Sequence, residues 1–149
     1  MEAGRVEAIH IGPKKTLPAP VERVAAHAGK GLEGNRYYYA DGAPPGKALT
    51  LISSEALDGL EERTGIVLSA AASRRNVLTR GIDVNALVGR RFRVGEVECY
   101  GVQLCEPCAH LQSMTRPGII KELVHRAGIN ADILTDGTIS VGDEIVEFS

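Results

Sequence analysis

Two thiols and an imidazole fall within the six residues Cys105-Glu106-Pro107-Cys108-Ala109-His110, directly after the strand-like run Val97 to Leu104. A thiol takes part in chemistry as its thiolate, the form that attacks electrophiles and ligates metals, so its surroundings decide what it does. Three chemical readings of this spacing compete with a structural one.

Structural zinc needs four N or S ligands in a tetrahedron, and Cys105, Cys108, His110 and Cys99 make up that number. Cys99 lies on the same strand, sharing a face with residues 101 and 103, about 18–20 Å behind Cys105 if the strand runs straight; the geometry resists. A dithiol redox site is the second reading, because Cys-x-Pro-Cys resembles the thioredoxin turn. That turn sits between a strand and a long helix, whereas here Pro117 delays the next helix. The third reading is a single thiolate that ligates a metal or carries sulfur. The fourth is that these thiols are small, partly buried apolar groups, the common fate of cysteine. Cys99, alternating with Glu98 and Tyr100, is assigned to that last class, and Cys108 is the thiol expected to react.

Cationic and amide donors gather where predicted strands end: Lys14-Lys15, Asn35-Arg36 and Arg74-Arg75-Asn76. Loops at strand ends present side chains to a shared opening, and Arg forks with Lys point charges suit a phosphate. Any one of them alone reads as a solvated surface charge. His110 reads equally as a turn histidine or as a proton donor whose ordinary pKa is about 6.5.

The elements that must position these groups are short. Seventeen glycines and seven prolines punctuate apolar runs rich in Val, Ile and Leu, which predicts a mainly β domain. Strands are expected over Val6 to Ile11, Pro20 to His27 (ended by Gly29-Lys30-Gly31), Leu49 to Ile52 and Asn76 to Thr79. Arg91 to Val94 and Val97 to Leu104, joined by Gly95-Glu96, read as a hairpin that delivers the chain to Cys105. Ser53 caps a helix with Glu55 at its positive end and Ala56, Leu57, Leu60 and Thr64 on one face before Gly65. Pro117 opens a second helix carrying Ile119, Ile120, Leu123, Val124 and Ala127 to Gly128. The tail alternates through Ile133-Leu134, an Asp136-Gly137 turn, Ile139, a Gly142-Asp143 turn and Ile145 to Phe148.

Composition sets the outer bounds. The 149 residues fit one domain, residues 1–149, with a core that buries roughly 68–70% of the unfolded surface. Three cysteines and no signal-like N-terminus argue against a disulfide framework and for a cytoplasmic setting. A net charge of −2 without long like-charge runs leaves no field for nucleic acid or a membrane surface, and no run approaches the length of a membrane span.

The residues also carry a family resemblance, spread from Ile9 to Val146. Its landmarks are Gly31-Leu32-Glu33-Gly34-Asn35-Arg36-Tyr37, Leu49 to Glu55, Arg74-Arg75-Asn76-Val77, Leu87-Val88-Gly89-Arg90-Arg91-Phe92, Cys105-Glu106-Pro107-Cys108, Gly137-Thr138-Ile139 and Val141-Gly142-Asp143. In this order and spacing the chain resembles a MOSC domain, the module related to the C-terminal part of molybdenum-cofactor sulfurase. The resemblance implies a closed or partly open β-barrel with two or three short helices, and a molybdenum cofactor (molybdopterin). It implies Cys108 as the molybdenum ligand. It assigns Arg74, Asn76 and Arg36 to the cofactor and Lys14 or Lys15 to its phosphate; Cys105 and His110, by their adjacency to Cys108, are then expected to support the metal ligand, or His110 to donate a proton. Asn35 stands where an acidic residue is common in the family, and Lys47-Ala48 where Arg-Gln is frequent.

Two activities follow as expectations. One is a molybdenum-dependent oxidoreductase acting on N-hydroxylated small molecules, with electrons from a separate electron-transfer protein, since the chain has neither a ferredoxin-type cysteine array nor a Gly-x-Gly-x-x-Gly loop. The other is a sulfur carrier in which Cys108 accepts a persulfide from a cysteine desulfurase. A non-catalytic module that binds an anion or a protein is the third possibility. A homodimer is the expectation from the frequency of two-fold assemblies.

Overall fold

A computed structural model describes residues 3–12, 18–35, 38–65, 75–105 and 128–148. Its strands are β1 (Gly4–Ile11), β2 (Ala19–Val21), β3 (Arg23–His27), β4 (Gly31–Leu32), β5 (Leu49–Ser53), β6 (Val77–Arg80), β7 (Arg91–Val94), β8 (Val97–Leu104), β9 (Ile129–Ile133), β10 (Gly137–Ser140) and β11 (Glu144–Phe148). One α-helix, α1 (Ser54–Thr64), and a 3-10 turn (Val84–Leu87) complete the described elements. The main sheet runs β11-β7-β8-β9-β5-β6-β1-β2, and a further β11–β1 pairing closes seven of these strands into a barrel. Closure matters because a ring of strands leaves no unpaired edge. A second sheet, β10-β3-β4, packs beside it.

Alternation explains the core. Val6, Ile9, Leu49, Leu51, Val77, Phe92, Val94, Cys99, Ile129, Ala131 and Ile145 face one another inside the barrel, and Val84 and Leu87 of the 3-10 turn join them. The turn lies tight against β8: a Cβ on Gly101 would meet the Leu87 carbonyl oxygen at 2.1 Å, so only glycine fits there. Helix α1 rides on the opposite face of the wall, where Leu60 and Ile52 are buried apart from the barrel cluster.

The expected hairpin and the helix boundaries are those observed. Ser53 Oγ accepts from the Ala56 N–H, and Gly65, in the left-handed region, donates to the Glu61 carbonyl. The run Pro20 to His27, expected as one strand, is two: β2 pairs with β1, while β3 joins β10 and β4 in the other sheet. Of Gly29-Lys30-Gly31, expected to end that strand, Gly31 itself begins β4 with Leu32. The helix expected after Pro117 lies outside the described residues. Among the described residues no helix is long and apolar enough to cross a membrane.

Two β-bulges change which face the later residues of a strand present. In β1 the register against β6 shifts between Val6 and Ala8, and in β8 the register against β9 shifts between Gly101 and Gln103. Each extra residue inverts the alternation that follows it. Val6 and Ile9 therefore both face the core, and His10 turns outward. Cys99 and Gly101 share a side, but Gln103 opposes Asn130 on the outer face, so the expectation that residues 99, 101 and 103 share one face holds only as far as the bulge.

Candidate functional site

Five polar residues on five neighbouring strands line up on the outer face of the barrel wall: His10 on β1, Asn76 at the start of β6, Thr50 on β5, Asn130 on β9 and Cys105 at the end of β8. Their immediate neighbours Ile9, Val77, Leu49, Leu51, Ile129 and Ala131 point into the core, which sends this row to the other side. Thr50 and Asn130 are register partners, and the Cys105 thiol donates to Asn130 Oδ1 at 2.8 Å.

Asn76 ties the row together. Its Oδ1 accepts from both the backbone N–H and the hydroxyl of Thr50 at 3.1 Å, and its own N–H donates to Thr50 Oγ1 at 2.9 Å. Its Nδ2 donates to the His10 carbonyl at 3.2 Å, while the His10 N–H donates to the Asn76 carbonyl at 2.7 Å. Asn76 is only 6% exposed. One amide thus links β1, β6 and β5 at the point where the chain emerges from Arg74-Arg75.

His10, directly opposite Asn76, is 7% exposed, and its Nδ1 has no hydrogen-bond partner among the described residues. Burial pushes its pKa below the usual imidazole value, so the ring is neutral near pH 7. Two residues on, the Gly12 N–H donates to Asn35 Oδ1 at 3.3 Å, which joins the end of β1 to the glycine-rich turn that precedes Arg36.

Cys105 is buried at 6% exposure, and its N–H donates to the Gly128 carbonyl at 2.8 Å, pinning the start of the cysteine segment to the entry of β9. Gly128 itself presses on β5, since a Cβ there would meet the Leu51 carbonyl oxygen at 2.0 Å. Cys99 is fully buried in the barrel, with its thiol pushed up to about 12 by burial and by the charges of Asp132 and Glu98. It is a core residue, as expected, and no zinc ligand. Among the described residues no group of three or more His, Cys, Asp or Glu side chains stands ready to hold a metal.

Of the residues expected at the site, the structure brings Asn76 and Cys105 onto one face, three strands apart and with Cys105 two residues beyond the register position that Gln103 holds opposite Asn130. Lys14, Lys15, Arg36, Arg74, Cys108 and His110 lie outside the described residues. Their described neighbours, Gly12, Asn35, Arg75 and Cys105, mark where each segment leaves the wall. Sequence reasoning missed Thr50, Asn130 and His10. The signal for His10 is the spacing of Val6 to Ile9, which breaks strand alternation and so calls for a bulge.

A MOSC domain profile matches residues 8–146. No curated protein matches the chain. The fold is that of solved structures of low identity. The YUAD protein from Bacillus subtilis superposes with a TM-score of 0.83 at 17% identity, covering 100% of both chains. YiiM from Geobacillus stearothermophilus gives 0.78 at 22% identity over 98% of this chain and 75% of that one. YiiM from Escherichia coli gives 0.68 at 19% identity over 100% and 70%.

Proposed function

The chain belongs to the MOSC family, and on that premise we propose that it binds a molybdenum-bearing phosphopterin against the outer-face row, with Cys108 as the protein ligand to the metal, and reduces N-hydroxylated small molecules. The observation that carries this reading is the row itself. It anchors the start of the cysteine segment at Cys105, the exit of the Arg74 segment at Asn76 and, through His10 and Gly12, the strand that leads into Lys14-Lys15.

The described residues fit such a group. Thr50 spends its hydroxyl and N–H on Asn76, and Asn76 Nδ2, with one N–H on the His10 carbonyl, keeps its second N–H as the row's spare donor. That is what a polar heteroaromatic ligand takes up. A metal delivered by a dithiolene needs one soft protein donor, and a cysteine thiolate is the matching type. When bound, the group supplies two-electron redox chemistry. The protein's part is to orient it: Arg74, Arg36 and Lys14 or Lys15 take the phosphate, Asn76 positions the Arg74 segment, and Cys105, held by Asn130, fixes where the segment carrying Cys108 begins. Electrons come from a separate redox protein.

Protein made in a molybdenum-replete host is expected to carry one molybdenum per chain by metal analysis, and Cys108→Ala to lose it. The loaded protein with a chemical reductant should convert an amidoxime to its amidine. If Cys108→Ala retains as much molybdenum as the parent, the ligand assignment fails. If the parent carries none but gains a persulfide on Cys108 when incubated with a cysteine desulfurase and cysteine, the protein is a sulfur carrier instead.

A further inference from the structure

Between the start of helix α1 and the 3-10 turn lies a cavity of about 270 Å³ that the proposed function does not use. Val84 and Gly128 are buried and form its floor, while Glu55, Arg63 and Asp83 are exposed at its mouth, so solvent reaches it. The Gly128 carbonyl receives the Cys105 N–H, and the cavity therefore backs onto the anchor of the cysteine segment. Its volume falls below the roughly 300–1,000 Å³ of drug-sized sites and suits a metabolite of amino-acid size.

The three charges at the mouth are positioned but not paired. Glu55 Oε2 accepts the Gly81 N–H at 2.8 Å, and Asp83 Oδ1 accepts the Asn85 N–H at 3.1 Å as it caps the 3-10 turn. Each carboxylate is thus fixed by the backbone through one oxygen and keeps the other for a partner. Arg63 comes roughly two turns after Glu55 on α1 and leans back along the helix, as helical side chains do. Its Nη1 would stand 3.0 Å from a Cβ on Gly59, so glycine there leaves the guanidinium its place. Elsewhere opposite charges close on each other: Arg80 binds Glu7 and Asp58, and Arg90 meets Glu147. Glu55, Asp83 and Arg63 share one cavity, yet among the described residues none of them forms an ion pair.

We propose that this cavity binds a basic amino acid, or a small molecule of the same charge pattern, with its carboxylate on Arg63 and a cationic nitrogen on each of Glu55 and Asp83. Charge decides among the alternatives. A lone anion such as phosphate would face two carboxylates, and a lone cation would face a guanidinium. An apolar molecule would cut these polar groups off from water without replacing it. A ligand with two cations and one carboxylate leaves the occupied cavity with no net charge. The Ser53 hydroxyl, which accepts the Ala56 N–H, still has its proton to donate. Nothing in this assignment depends on the molybdenum reading, and its failure would leave that reading untouched.

The test is calorimetric titration of the purified chain at low salt with L-arginine, L-lysine and agmatine, which is arginine without its carboxylate. At least one of the two amino acids should bind one to one with a dissociation constant of about 1 mM or tighter. Agmatine should bind about tenfold more weakly than L-arginine, the loss of the bidentate pair with Arg63. Arg63→Gln should weaken the amino acids about tenfold and leave agmatine no weaker, a change of preference that a structural arginine would not produce. Glu55→Gln and Asp83→Asn should each weaken L-arginine and agmatine alike. Glu62→Gln removes a charge from an exposed position of α1 outside the cavity and should alter neither. Absence of binding by both amino acids overturns the proposal, as does agmatine binding as tightly as L-arginine. A preference for L-arginine that survives Arg63→Gln places the ligand elsewhere and overturns it too. The comparison of L-arginine with agmatine uses the parent chain alone, so it decides the matter even where a variant fails to fold.

Discussion

Thr50 and Asn76 exchange three hydrogen bonds across the parallel β5–β6 pair, two accepted by Asn76 Oδ1 and one by Thr50 Oγ1. A side-chain amide here does the work of a ladder rung at the place where β6 begins, and it sets the exit of the chain from Arg75.

Asn76→Ala should therefore destabilise the fold by about 2–3 kcal/mol, because it strands the Thr50 N–H and the His10 carbonyl along with the lost bonds. Thr50→Ser keeps the hydroxyl and should cost under about 1.5 kcal/mol, the loss of one methyl group. Urea denaturation of both variants checks the order; equal costs would mean that the hydroxyl is not what matters.

Gly128 has no room for a side chain against the Leu51 carbonyl, and its φ of 91° lies in the left-handed region. Gly128→Ala should push β9 from β5 and, through the Gly128 carbonyl, displace the Cys105 N–H. The expected outcome is a loss of thermal stability together with a fall in molybdenum content. Gly142→Ala is the control, since its φ is also positive while nothing stands within 4 Å of its would-be Cβ. It should cost about 1 kcal/mol of backbone strain without touching loading.

Cys99 gives a pH dependence with a definite sign. The folded chain holds this thiol protonated to about 12, whereas the ordinary value is 9.0. Its stabilising contribution is complete below the unfolded value and drains away as pH rises from there to the folded one. Unfolding free energy should fall above pH 9, and Cys99→Ala, less stable at neutral pH through the lost packing, should show a shallower alkaline decline. In the folded protein Cys99 should resist alkylation at pH 8 and react only on unfolding, as peptide mapping would reveal.

Ser53→Ala tests whether helix and site are separable. The cap bond to the Ala56 N–H is worth about 1 kcal/mol. Loss of that much stability with unchanged cofactor loading would show that α1 supports the wall and takes no part in binding.

What this sequence determined by itself is local. Gly95-Glu96 between two alternating runs fixed a hairpin, Ser53 and Gly65 fixed both ends of α1, and alternation fixed Cys99 as a buried apolar residue of a mainly β domain, while the barrel was implied by the family resemblance. Turn chemistry and capping act within a few residues, so one stretch of chain suffices to read them. The outer row was not legible in that way. Asn76 and Cys105 were marked by type and by family resemblance, but Thr50 and Asn130 are ordinary strand residues that matter only because register sets them between those two. His10 and Cys105 face outward only because bulges invert the alternation of β1 and β8. A bulge is decided by what the neighbouring strand offers as a partner. Pairing between strands distant in sequence is therefore the physical step by which tertiary structure, and not the chain alone, assembles this face.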